Sequence, residues 1–408
     1  MMTDNSHGSP NDIAPDGSTL DDMISDDATR LSSLRHRFQA PGDETLTSSG
    51  TTRKRTISDH DDASERTRHH TITTPQESTH LMTHRSEDNA PFATVFEHLV
   101  ANISTAILGK EDVIRQVVAA FFVGGHVLLE DNPGTGKTQL ARGLARSIDA
   151  SFKRLQFTPD MLPSDVIGVT VYDQEKGSFY FRKGPLFASI VVADEINRAS
   201  PKTQSALLEA MEEQHVTVDG ETHALPRPFM VIATQNPIEH LGTYRLPEAQ
   251  LDRFLIKTSL GSPDHQSSMQ ILRQATKNDR VDDIRPVITV EKLVALRRTC
   301  DTVFVDDAIA EYVLHLVEET RHHEGIRLGA STRGALALVR CAKVFAAADQ
   351  RDYVIPDDVI AFARPVLAHR ILPTPDATLA ENTAEGLIDE IVSGLAPPAI
   401  GASLKGGS

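Results

Sequence analysis

Cysteine occurs only twice in 408 residues, as Cys300 and Cys341, and in no CxxC arrangement. That excludes a disulfide framework and a zinc module. Apolar neighbours such as Ala342 and Val344 mark these as ordinary core thiols rather than a redox pair. Long apolar runs are missing too. The longest, Val117 to Gly125, ends at His126 and falls short of the ~18 residues that span a bilayer. The N-terminus carries no apolar core of a secretory signal. Positive charge is in deficit: 41 Lys and Arg against 57 Asp and Glu leave a net −16. General attraction to nucleic acid or anionic lipid is therefore not expected. These absences describe a reduced, cytoplasmic protein without direct membrane insertion.

Hydrophobic residues make up 39% of the chain. A compact domain has ~45–50% with Gly counted, so part of this chain is not expected to pack. The composition locates that part. Residues 1–90 contain no valine and are crowded with Ser, Thr, Asp, Arg and His. Such a segment buries too little apolar area to offset backbone entropy of ~1–2 kcal/mol per residue. It is expected to be a disordered tail. Within it, Arg53 to Ser58 resembles a basophilic phosphorylation site but reads better as solvated tail. Leu31, Leu34 and Phe38 hint at a transient docking helix.

From Pro91 the pattern changes. Phe92, Val95, Phe96, Leu99, Val100 and Ile103 recur at helical spacing, and Val113 to Val123 supplies a second helix. Strands are then predicted at His126 to Glu130, Phe152 to Phe157, Ile190 to Ala193, Phe229 to Thr234 and Leu255 to Leu260. Helices at Gln139 to Ile148 and Lys202 to Gln214 alternate with them, which predicts a parallel sheet covered on both faces. Two hairpins interrupt the rhythm. One spans Val169 to Phe181 and turns at Lys176-Gly177; the other spans His215 to His223 and turns at Asp219-Gly220. Beyond Pro263 only helices are expected: Asp306 to His322, Thr332 to Ala348 and Pro356 to Ala368. The fold class is α/β, a phosphate-loop domain over 91–265 followed by a small all-helical lid over 266–372. Residues 373–408 are expected to be a tail with one weak helix, Ala384 to Leu395.

The chemistry concentrates in Asp131-Asn132-Pro133-Gly134-Thr135-Gly136-Lys137-Thr138, placed between a strand and a helix. Successive backbone N–H groups and the positive helix end wrap a triphosphate. Lys137 reaches the β/γ oxygens, and Thr138 ligates Mg²⁺. Gly134 and Gly136 allow an approach that a Cβ would block, while Asp131 stands where the standard loop has its first glycine. The apolar run Ile190 to Ala193 ends in Asp194 and Glu195, carboxylates at the C-terminal edge of a buried strand, where ligands sit in open α/β sheets. Asp194 is expected to hold Mg²⁺ through its water shell and Glu195 to polarise the attacking water. Asn236, before Pro237, is placed to sense the γ-phosphate. Arg253 opens the last strand, unsuited to reach its own subunit's phosphates, and suits an arginine supplied to a neighbour. Arg333 opposes a helix dipole, which points to an anion, expected to be the γ-phosphate across the domain cleft.

The segments HVLLEDNPGTGKTQLAR, LQFTPDMLPSDVIG, FRKGPLF, ADEINRASPKTQSALLEAMEE, ATQNP, RLPEAQLDRF and GASTRGALAL occur in this order between about Pro91 and His369. Together they resemble the MoxR family of AAA+ ATPases. The resemblance implies a nucleotide-binding domain, a helical lid and a homo-oligomeric ring, generally hexameric, with ATP sites between subunits. It makes Lys137 and Thr138 the phosphate-loop pair, Asp194 and Glu195 the Mg²⁺/water pair, Asn236 the first sensor, Arg253 the arginine finger and Arg333 the second sensor. It sets Ile107 and Gly109 against adenine and Arg198 near the subunit boundary, and it tolerates Asp131. The two hairpins would face the pore or a partner. Chaperone-like work on a client protein, with a von Willebrand factor A-domain partner and metal-cofactor maturation, is implied in the same way.

Two other readings are weaker. A nucleic-acid motor fits the ATPase, but the −16 charge and the lack of an appended DNA-binding motif argue against it; a magnesium-chelatase-like subunit is closer in fold, but its acidic and metal-binding partner domains are not seen in this sequence. A regulatory scaffold that hardly hydrolyses ATP is at odds with the complete residue set. His322-His323-Glu324 lacks metal-ligand spacing and reads as a solvated helix end. His369-Arg370 reads as favourable positive charge closing a helix.

Overall fold

The computed structural model describes residues 77–236, 243–273 and 280–398, with the side chains of 77–90 excepted. The basic stretch at Arg53 to Ser58, the Leu31, Leu34 and Phe38 pattern, Pro237 and the Gly/Ser-rich end lie outside the described residues.

Helix α1 (Glu77–Ser104) starts upstream of Pro91, which lies within it. Sequence punctuation put the start at the proline, but the backbone is helical before it. The expected apolar stripe is buried: Phe92, Phe96, Leu99 and Ile103 are fully inaccessible. They pack against α2 (Glu111–Val123) and the second layer of the fold. Next come β1 (Val127–Glu130), α3 (Lys137–Ser147), β2 (Phe152–Gln156) and α4 (Pro163–Ile167). The hairpin β3–β4 (Gly168–Asp173, Ser178–Lys183) precedes β5 (Ile190–Asp194) and α5 (Pro201–Glu213). The second hairpin, β6–β7 (His215–Val218, Glu221–Ala224), leads to β8 (Met230–Gln235), α6 (Glu248–Leu251) and β9 (Ile256–Thr258).

Five strands form one parallel sheet in the order β2-β5-β8-β1-β9. Alternate residues feed two cores. Val127, Leu129, Val192 and Ile232 face one layer, while Leu128, Val191, Ala193 and Val231 face the other. Because both faces are covered, the strands are continuous apolar runs. Both hairpins form as expected. At the tip of the second, Asp219 and Gly220 have φ of 51° and 83°, the left-handed pair a type I′ turn requires.

The helical part is larger than its periodicity indicates. It contains α7 (His265–Arg273), α8 (Val290–Asp301), α9 (Asp307–His322), β10 (Ile326–Leu328), α10 (Thr332–Ala348), α11 (Pro356–Leu367), β11 (Leu372–Pro373), α12 (Pro375–Leu379) and α13 (Ala384–Gly394). Neither α7 nor α8 was legible, because they bury only Ser267, and Leu293 with Cys300, respectively. The helical lid forms, with one short antiparallel pair, β10 with β11, beside its helices. Helix α13 is no part of a loose tail. Leu387, Ile388 and Ile391 are buried, and Glu385 reaches Lys257 of β9 at 3.1 Å. Among the described residues, no helix is long and apolar enough to cross a membrane.

Candidate active site

The C-terminal edge of the parallel sheet carries the polar residues. Its register sets Gln156 beside Asp194, and Glu130 beside Gln235. A cavity of about 350 Å³ opens there, walled by the 133–139 loop and helix start, by Arg154 and Gln156 of β2, by Asp194 and Glu195, and by Thr234 to Asn236.

The loop between β1 and α3 bends through Gly134 and Gly136, with φ of 84° and 95°. Nothing lies within 4 Å of the point where a Cβ on Gly134 would project, so that side of the loop is open. The Lys137 ammonium folds back onto the loop, donating to the carbonyls of Asp131 (2.9 Å) and Asn132 (2.8 Å). Burial lowers its pKa from the ordinary lysine value, against the pull of Asp131, Asp194 and Glu195.

Asp131 itself points elsewhere. Its carboxylate accepts from the Ser259 hydroxyl (2.6 Å) and from the backbone N–H groups of Leu260 (2.8 Å) and Gly261 (2.7 Å). The residue that replaces the usual glycine therefore fastens the phosphate loop to the segment leaving β9. Its side chain is taken up by these bonds, and Asp131 is not among the residues that line the cavity. Ile107 and Gly109 do not line the cavity directly. Ile107 abuts the loop, its Cδ1 3.8 Å from where a Cβ on Gly136 would stand, and Gly109 (φ 68°) fits closely against Ser267 and Asp264.

The acids are held from several directions. Thr138 Oγ1 donates to Asp194 Oδ2 (3.3 Å), Thr234 Oγ1 to Asp194 Oδ1 (3.2 Å), and Arg154 Nε to Asp194 Oδ2 (2.6 Å). Glu195 takes a left-handed backbone, φ 58°, and its N–H donates to Thr234 Oγ1 (3.0 Å). Its Oε2 accepts from Gln156 (2.8 Å) and Arg198 (2.9 Å). A hydroxyl and a carboxylate converging beside an open, N–H-lined loop are hard oxygen donors of the kind Mg²⁺ takes alongside substrate phosphates. These residues fit a magnesium–nucleotide complex. Asn236 is buried and lines the same cavity.

The two remaining arginines are not in this cavity. Arg253 Nη2 lies 3.1 Å from Glu212 Oε2, and Arg333 Nη2 lies 2.5 Å from Glu212 Oε1. Arg333 also faces Asp252 at 3.8 Å. The hydrogen bond from Arg333, with the charges of both arginines, holds the Glu212 carboxyl below the ordinary glutamate range. The expectation for Arg333 is an anion opposite it, the γ-phosphate across the domain cleft; among the described residues an anion there is Glu212, beside Arg253.

Sequence reading missed Arg154, Gln156, Thr234 and Glu212. The alternating run Phe152 to Gln156 could have flagged the first two, since every second residue of a strand shares a face. Glu212 gives no local signal.

A five-stranded parallel sheet in this order, a phosphate loop after its β1 and paired acids at the end of β5 define a phosphate-loop nucleoside triphosphatase of AAA+ architecture. Comparison with known proteins agrees. Residues 126–256 match the AAA ATPase family, "ATPase family associated with various cellular activities", and residues 318–391 match the AAA lid domain. The chain is 49% identical to the YeaC protein of Bacillus subtilis over 73% of this chain and 93% of that protein. It is 38% identical to Chaperone MoxR1 of Mycobacterium tuberculosis (75% and 83%) and 32% identical to Protein MoxR of Methylorubrum extorquens (67% and 86%). A crystal structure of a Cytophaga hutchinsonii protein superposes with a TM-score of 0.72 at 34% identity, covering 79% of this chain and 99% of that one. The chain belongs to the MoxR family of AAA+ ATPases: it binds ATP and hydrolyses it.

Proposed function

We propose that the chain is a chaperone-like ATPase that assembles into a homo-oligomeric ring, hexameric as in the family pattern, and remodels or activates a client protein in the cytoplasm. Lys137, Thr138 and the N–H groups of 134–138 bind the triphosphate. Thr138 and Asp194 would hold Mg²⁺, which would supply charge neutralisation for the triphosphate. Glu195 orients the attacking water, and Asn236 contacts the water or the terminal phosphate. Arg253 and Arg333 act together on the site of the adjacent subunit. One observation carries this reading: both arginines converge on Glu212 and neither lines the cavity that contains Lys137. Two cations on one exposed carboxylate form a site ready to exchange that partner for a neighbour's phosphates.

A von Willebrand factor A-domain partner and a client whose metal cofactor is matured extend the same reading. The two hairpins are surfaces through which partners would be met. The −16 net charge argues against nucleic acid as the substrate.

The test is phosphate release per subunit over a range of protein concentrations, followed together with assembly by sedimentation. Activity should rise with the assembled fraction. A full rate from dissociated subunits overturns the proposal. Capture from native cells with Glu195→Gln, which retains ATP, then identifies the client.

A further inference from the structure

His369 and Arg370, in the turn after α11, do more than close a helix with favourable positive charge. They are 5% and 9% exposed. The Arg370 guanidinium encloses the backbone on both sides of Arg253. Its Nε donates to Asp252 Oδ1 (2.7 Å), its Nη2 to the carbonyls of Phe254 (2.6 Å) and Asp252 (3.3 Å), and its Nη1 to the carbonyls of Leu255 (3.1 Å) and Val366. His369 Nε2 lies 3.0 Å from the same Phe254 carbonyl and 2.8 Å from Arg370 Nη1. One lid side chain thus grips residues 252, 254 and 255, and leaves only the Arg253 side chain to reach out to Glu212.

Burying a guanidinium is costly, and well-packed apolar residues often replace a buried ion pair without loss of stability. A planar fork, however, fixes direction in a way an apolar contact does not. The carbonyls it holds flank the one residue whose placement must be accurate, since a misplacement of ~1 Å can cost ~10²-fold in rate. Arg370 follows directly on α11, so any shift of that helix moves the peptide that carries Arg253.

We propose that Arg370 is a positioning residue for Arg253, and that through it the lid of one subunit sets hydrolysis at the site of the next. This rests on the reading above, in which Arg253 serves a neighbour. Arg370 touches no nucleotide; it holds the backbone from which Arg253 extends.

Mixed assemblies test it. Arg370→Lys keeps the charge and loses the fork. Asp252→Asn removes the charged partner with little change of shape, and carries the test if the first variant fails to fold. Each should bind ATP within about twofold of the unaltered protein and lose kcat by about 10- to 100-fold. Lys137→Ala subunits lack a working site but keep Arg253. Equal mixing should restore about a quarter of the normal rate per subunit, because half the sites are competent and half of those face a well-held arginine. A merely structural role for Arg370 would leave the mixture as inactive as its parts.

The control is Arg253→Ala mixed with Lys137→Ala. If the control recovers and the Arg370→Lys and Asp252→Asn mixtures do not, the positioning role is overturned while the neighbour reading stands. If the control also fails to recover, the neighbour reading has failed and the present proposal goes with it. An unchanged kcat in both Arg370→Lys and Asp252→Asn overturns it as well.

Discussion

Arg253 and Arg333, far apart in the chain, share a single carboxylate, the two oxygens of Glu212. Each should therefore matter to hydrolysis without being needed for nucleotide binding by its own subunit. Arg253→Ala is expected to lower kcat by ~10³-fold or more, the scale of a lost arginine finger, while fluorescent ATP-analogue affinity changes little. A loss of affinity that matches the loss of rate would place Arg253 in its own subunit's site instead.

Glu195 sits in a left-handed backbone with its carboxylate held by Gln156 and Arg198. Glu195→Gln keeps the shape and removes the carboxylate proposed to orient the attacking water. Expected are retained ATP binding and a fall in turnover of ~10²–10⁴-fold. Single-turnover assays with radiolabelled ATP measure both, and unchanged turnover would remove Glu195 from the chemistry.

Asp131→Gly restores the standard glycine of a phosphate loop, yet it should make the protein worse. The change removes a charged acceptor and strands the N–H groups of Leu260 and Gly261. A loss of about 3 kcal/mol in unfolding free energy is expected. An unaltered urea midpoint would show that the Asp131 bonds contribute nothing.

His126 sits in the core, its ring between the Met211 carbonyl and the Val231 N–H. Burial lowers its pKa to about 4, and the Met211 hydrogen bond only partly opposes this. The unfolded chain takes up the proton near pH 6.5 and the folded one does not until about 4. Stability is thus complete above about pH 6.5 and declines by about 3 kcal/mol as pH falls toward 4. Burial and Arg370 lower the pKa of His369 as well, so it adds to the loss in the same direction. Urea midpoints between pH 7 and 5 measure the slope, which should be shallower in His126→Gln. An identical slope would mean that His126 does not titrate with unfolding.

Much of the α/β half was legible because its signals are local. Four apolar residues before Asp194, the glycines around Thr135 and the Asp219-Gly220 turn each act through neighbouring atoms. Helices α7 and α8 were not legible, since they present too few buried residues to mark a face. Helix α13 was legible as a helix but not as part of the fold, because the surfaces that bury Leu387 and Ile388 come from elements distant in sequence.

The amino-acid order by itself determined the class of chemistry: a loop that binds phosphate, acids at the end of a buried strand, and a catalytic complement of ordinary spacing. Backbone geometry and short-range polarity suffice for that. Only the tertiary structure decided where charges find their counter-charges. It turned Asp131 away from the cradle, set Arg154 on Asp194, brought Arg253 and Arg333 to Glu212, and buried Arg370 around the peptide beside Arg253. Long side chains choose partners by distance and burial in three dimensions, and no periodicity in the chain encodes that choice.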